Sequence, residues 1–169
     1  MYKRLFILFT TFALAACQTV PDGITPVAQF EKSRFLGEWY EIARLDHSFE
    51  NGLSEVTAQY VARTDGGIDV INRGFKQKDN AWTEAIGRAY FVEDTYLGHL
   101  KVSFFGPFYS SYVVFELGED YEYAFVSGYS KDYLWLLARR PTVSNELLMR
   151  FLRIADEKGF DVEEIILSQ

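Results

Sequence analysis

The chain has 169 residues, a net charge of −7 and an aromatic content of 17%, with 15 Phe, 11 Tyr and one cysteine. That length suits one domain, and a lone cysteine excludes an internal disulfide. An acidic chain without a basic cluster excludes the usual electrostatic footprint of a nucleic-acid binder.

The first sixteen residues read as a secretory signal. Lys3 and Arg4 precede the apolar run Leu5 to Leu14, which is short of the ~20 residues that a spanning helix needs. The run ends in Leu14-Ala15-Ala16-Cys17, which resembles a bacterial lipobox, with Cys17 as the residue that accepts the lipid. An ordinary signal peptide beside a chance cysteine is the alternative, but an unpaired cysteine in a secreted chain needs a purpose. Several acyl chains, at ~0.8 kcal/mol per buried methylene, anchor far more firmly than one. Gln18, rather than Asp, follows the cysteine. Resemblance to Gram-negative lipoproteins then implies the outer membrane, facing the periplasm. Cleavage leaves 153 residues with a net charge of −9. Without a polybasic face, membrane attachment would rest on Cys17.

Residues 17–32 contain Pro21, Gly23 and Pro26 with little periodicity and read as a tether. The domain is expected over 33–169. Strand-like segments then recur over 39–45, 53–63, 67–76, 81–91, 97–105, 110–117, 122–129 and 133–139. Turn residues such as Asn51-Gly52, Asp65-Gly66-Gly67 and Gly106-Pro107 separate them. This succession predicts an all-β fold, an eight-stranded antiparallel up-and-down barrel closed to avoid exposed edges. A helix follows, with Ser144 as N-cap, a stripe of Leu147, Leu148, Phe151, Leu152 and Ala155, and a stop at Lys158-Gly159. Val162 to Leu167 reads as a short last strand on the barrel wall.

Gly37-x-Trp39-Tyr40 after a short turn, Arg139 at the end of the eighth strand, the following helix and the lipobox together resemble the lipocalin family. The runs "GEWYEIAR", "VINRG", "LKVSFFGPFY" and "DYLWLLARRP" are similar to the bacterial outer-membrane lipoprotein branch and to apolipoprotein D. One family feature is blurred, since Glu119-Asp120-Tyr121 stands where Thr-Asp-Tyr is usual. The resemblance implies that Gly37 admits a tight turn and that Trp39 plugs the closed end. Arg139 would lie across the indole, a contact worth ~1–2 kcal/mol when desolvated.

The residues give little for catalysis or a metal. His47, Asp46 and Ser48 adjoin on one loop, whereas triad members converge from separate segments, so they read as solvated loop residues. His99 lies near the start of the fifth strand. No metal-ligand spacing and no phosphate loop occur in the sequence, so neither enzyme activity nor a cofactor is expected.

Period-2 alternation assigns an interior once each strand has an anchor. An inward Arg139 brings Leu137, Trp135 and Tyr133 with it. The apolipoprotein D resemblance implies that Tyr60, Asn72 and Tyr112 face a cavity. The same parity adds Val56, Ala58, Val114 and Glu116, and strand five contributes Leu100, Val102 and Phe104. The inward register of 81–91 stays open. A barrel of this size is either packed solid or holds one small ligand, and the family favours a ligand. The expected function is binding, storage or transport of a fatty acid or lysophospholipid for envelope maintenance. The rival is a packed, membrane-tethered interaction or scaffold protein. Homodimers occur in the family, and Phe108 or Tyr109 would suit such a contact.

Overall fold

From Gly37 onward the strand-like segments form nine strands in the computed structural model, which describes residues 19–168. The signal and Cys17 lie outside the described residues. A one-turn helix α1 (Lys32–Phe35) leads into β1 (Gly37–Leu45), β2 (Leu53–Ala62), β3 (Ile68–Lys76) and β4 (Ala81–Phe91). Then come β5 (His99–Ser103), β6 (Ser110–Leu117), β7 (Tyr123–Ser127), β8 (Leu134–Ala138), α2 (Asn145–Glu157) and β9 (Ile165–Leu167). Consecutive strands pair antiparallel from β2 to β8, and β1 closes the barrel by pairing with both β8 and β2. Full closure removes the exposed edges of an open sheet. The expected runs 97–105, 122–129 and 133–139 are each shorter as strands, because their ends belong to the loops.

Among the described residues three bulges interrupt the barrel; one lies in β2 between Ser54 and Thr57, and those in β1 and β6 decide where the expected inward residues face. In β1, Glu41 opposes Leu137 and Ala43 opposes Leu136, so Ile42 is an extra residue and both Ile42 and Ala43 turn outward. In β6, Val114 opposes Val126 and Glu116 opposes Phe125, so Phe115 is extra. Glu116, expected inside, therefore turns outward and pairs with Arg150 of α2. A strict period of two cannot survive a bulge, which inserts one residue and reverses the parity beyond it.

The outer face of β6, β7 and β8 carries Val113, Phe115, Phe125, Leu134 and Leu136, and α2 covers it with Phe151 and Ala155. Ser144 caps that helix by accepting from the Leu147 amide at 3.2 Å. Gly159, at φ +78°, ends it.

The expected tether is a packed strap over its described part. Val20 and Ile24 sit in the cluster beneath α2. The Val27 amide donates to the Val114 carbonyl at 2.9 Å, and its carbonyl accepts from Gly98 at 2.9 Å. Phe30 is buried at the closed end against Phe35 and Phe91, with ring centroids 5.1 and 6.0 Å away. The apolar residues spaced among the prolines mark this strap, because a free linker has no reason to carry them.

Candidate functional site

Gly37 has φ +98°, a region that side chains avoid, and its missing Cβ leaves room for the Arg139 guanidinium. That turn delivers Trp39 to the barrel axis. The indole is fully buried, with its Nε1 donating to the Phe35 carbonyl at 2.8 Å. The Arg139 guanidinium lies 4.0 Å from its ring centroid. Arg139 also donates to the carbonyls of Arg34, Leu36 and Glu38 at 2.7, 2.9 and 2.8 Å, and so ties α1 to β1. With Phe30, Phe35 and Tyr121 these groups seal one end of the barrel.

Above this plug the interior is empty rather than packed solid. A cavity of about 560 Å³ opens toward the loops 46–52, 104–109 and 128–133. That volume is within the usual range for small-molecule sites, roughly 300–1,000 Å³. Tyr60, Asn72, Val102, Phe104, Tyr112 and Trp135 line it. Val56, Ala58, Tyr133 and Leu137 do so as well. Val114 is different: it points inward but lies in the sealed half with Trp39, below the cavity. The Tyr60 and Tyr112 hydroxyls share a hydrogen bond of 2.7 Å, and burial raises both phenols well above their ordinary range.

β4 resolves the register that the sequence leaves open. Ala89 and Phe91 join the inner cluster, and the Phe104 ring lies where a Cβ on Gly87 would be, at 2.8 Å. β4 pairs with β5 only from Arg88 to Phe91. Beyond that point a side lobe of about 510 Å³ lies between β4 and Phe104-Phe105.

One wall of the cavity is charged. Glu41 and Arg44 face inward on either side of the β1 bulge and pair at 2.6 Å, with Arg44 only 1% exposed. Arg44 also donates to Ser168 Oγ at 3.0 Å and to the Glu50 carbonyl at 2.9 Å. Ser168 follows β9, which pairs with the upper part of β1 and so brings the C-terminus into this cluster. The Glu50 carboxylate accepts from the Trp135 indole at 2.9 Å and lies 3.2 Å from His47 Nε2. Burial, aided by the nearby Glu50 charge, pushes the Glu41 carboxyl up to about 8. Burial would raise Glu50 too, but its contacts with His47 and Trp135 outweigh that and hold it low.

His47 is thus not the solvated loop residue that its sequence neighbours suggest. Its side chain is 5% exposed, with ring centroids 5.1 Å from Trp135 and 5.3 Å from Tyr133. His99 lies on the outer wall, 3.2 Å from Ser111 Oγ. Sequence reasoning missed Glu41, His47 and Glu50 as cavity residues. The available signal was the mixture of Glu41 and Arg44 with apolar neighbours in "GEWYEIARLD". No metal-binding group of His, Cys, Asp and Glu occurs among the described residues. Nor is any helix among them long and apolar enough to cross a membrane.

Comparison with known proteins agrees with this geometry. A lipocalin-like domain family matches residues 30–169. The chain is 52% identical to the outer membrane lipoprotein Blc of Vibrio cholerae over 168 residues, covering 99% of this chain and 98% of that one. It is 48% identical to the outer membrane lipoprotein Blc of Escherichia coli K12, covering 94% and 90%. Among solved structures, insecticyanin from the tobacco hornworm Manduca sexta has the same fold. Its TM-score is 0.68 at 18% identity, over 89% of this chain and 86% of that one.

Proposed function

The chain belongs to the lipocalin family, and from that premise we propose that it is an outer-membrane lipoprotein that binds a fatty acid or lysophospholipid in the barrel. The acyl anchor is Cys17, and the role is storage or transport of lipid for envelope maintenance. The names of the relatives from Vibrio cholerae and Escherichia coli support the location. The observation that carries the ligand class is a cavity of about 560 Å³ lined chiefly by aromatic and aliphatic side chains, with Glu41, His47 and Glu50 on one wall and Asn72, Ser110 and Ser111 elsewhere. An apolar tail suits such a lining, and the polar wall suits a head group.

Burying a sixteen-carbon tail at ~0.8 kcal/mol per methylene gives a gross gain on the order of 10 kcal/mol. Ordering of ligand and loops reduces it, so micromolar affinity is expected. The reading is one of binding without chemistry: the polar groups of the wall hold one another, Glu41 with Arg44 and Glu50 with the Trp135 indole.

Displacement of a fluorescent fatty acid tests the reading. Palmitate and lysophosphatidylcholine should both displace the probe. Val102→Trp adds an indole to a half-buried cavity position and should weaken binding at least tenfold while the thermal midpoint stays near that of the parent. Unaltered affinity in this variant would mean that the tail does not occupy the cavity.

A further inference from the structure

The strap makes the position of the anchor relative to the cavity a structural question. It runs from Phe30 at the closed end, past Val27 on β6, to Val20 beneath α2. Lys158 Nζ donates to the Gly23 carbonyl at 3.0 Å and holds its middle. At its upper end Thr19 Oγ1 donates to the carbonyl of Tyr129, 3.4 Å away, in the loop that joins β7 to β8 at the cavity mouth. Cys17 is two residues further on, at most about 7 Å of chain. Chain length alone thus limits the attachment point of an acyl group on Cys17 to that distance from Thr19.

The rim carries the matching surface. Phe105 and Phe108 are 74% and 67% exposed, and Phe49 and Tyr129 are also exposed. Phe49 packs against Phe104, with ring centroids 5.0 Å apart, and against Phe105 at 6.4 Å. The mouth loop 104–109, "FFGPFY", has four aromatic residues and no charge. The closed end is charged instead, with Lys32 and Arg34 of α1 and Arg139 set among acidic loops. Its loops 63–67, 92–98 and 118–122 hold six acidic residues and one arginine. An exposed aromatic cluster suits a lipid interface, and acidic loops are repelled by anionic lipid.

We propose that the open rim lies against the lipid surface that holds acylated Cys17, with the mouth aromatics in the interfacial layer and the acidic closed end in water. The cavity then opens toward the bilayer, and a lipid tail passes between them without crossing bulk water. This inference rests on the acylation of Cys17 proposed above. It adds an orientation that acylation alone does not impose, because a long free tether would permit any.

Fluorescent probes on introduced cysteines read the orientation. The lipidated chain carries Phe108→Cys or Ser130→Cys at the rim, Asp94→Cys at the closed end, or Met149→Cys on α2. Each is reconstituted in vesicles of phosphatidylethanolamine and phosphatidylglycerol in equal parts, with a nitroxide phospholipid as quencher. Both rim probes should be quenched several-fold more than those at 94 and 149. Equal quenching at the two ends, or stronger quenching at 94, overturns the proposal. Rim probes that are shielded in proportion to protein density but insensitive to the nitroxide lipid assign the rim to a second copy and also overturn it. Fatty-acid displacement on the same vesicles keeps the two readings apart. A wet rim with bound fatty acid defeats the orientation alone, whereas a quenched rim without fatty-acid binding supports it and defeats the cargo reading. A Cys17→Ser chain that stays on the vesicles with its rim probes still quenched removes the anchor on which the orientation rests.

Discussion

Trp39 and Arg139 show how much one contact between distant residues can hold. The indole fills the barrel floor, and Arg139 covers it at 4.0 Å while bonding the carbonyls of Arg34, Leu36 and Glu38. Trp39→Ala should cost about 3–5 kcal/mol, since it removes a large buried group and leaves a cavity. Arg139→Ala should cost about 2 kcal/mol, because water reaches part of this site and replaces some lost bonds. Urea unfolding of both variants checks the order. Glu41 makes a second residue-scale case. Its carboxyl is pushed up from 4.5 to about 8, so between those values the folded chain binds a proton that the unfolded chain releases. Stability must then fall as pH rises through that window. Glu50, held low, acts in the opposite direction and only in acid, below its ordinary range. Thermal midpoints recorded from about pH 5 to about pH 8 should decline for the parent and flatten for Glu41→Gln. An undiminished decline in the variant would place the titrating group elsewhere.

At the scale of elements, the bulges and the strap matter most. The bulges in β1 and β6 each transfer one residue between faces: Ile42 in β1 helps to cover the outer core, and Phe115 in β6 supports α2. By turning Glu116 outward, the β6 bulge supplies the partner for Arg150 and fixes α2 to the wall. The strap behaves as part of the domain rather than as a linker, because Phe30 sits among Phe35, Phe91 and Tyr121 at the closed end. Phe30→Ala should therefore cost about 3–4 kcal/mol, the size of a core aromatic truncation. A loss under about 1 kcal/mol, within the range of surface changes, would return the segment to the status of a tether. Hydrogen exchange at Val27 and Gly98, whose amides join the strap to the wall, offers an independent check.

For the whole molecule the issue is attachment. The described residues contain no helix long and apolar enough to cross a bilayer, and the proposed membrane association is through Cys17. Cys17→Ser should move the protein from the membrane fraction to the soluble fraction, or leave the precursor uncleaved, and should abolish labelling by a clickable fatty acid. Label retained by the serine chain would refute the lipobox reading. The net charge of −7 makes this a sharp experiment, because an acidic chain is repelled by anionic lipid once the anchor is gone.

The barrel, its strand order, the capped helix and the floor contact were all legible in the sequence. The first three rest on local or periodic signals, turn residues between alternating runs and Ser144 before an apolar stripe, whereas the floor contact rests on the family resemblance carried by the Gly-x-Trp run and Arg139. Most of the cavity lining was legible too, since the family resemblance supplied inward anchors at Tyr60, Asn72 and Tyr112 and parity extends such anchors along an unbroken strand. Tertiary structure alone decided the rest. Glu116 faces out and Val114 lies beneath the cavity because a bulge and the depth of the plug are not periodic features. His47 and Glu50 enter the interior because their loop folds back over the mouth, where they meet Trp135 from β8, and Ser168 reaches Arg44 from the far end of the chain. Such contacts join segments up to 124 residues apart. Local sequence sets the preferences of each segment, and closure of the barrel determines which of them meet.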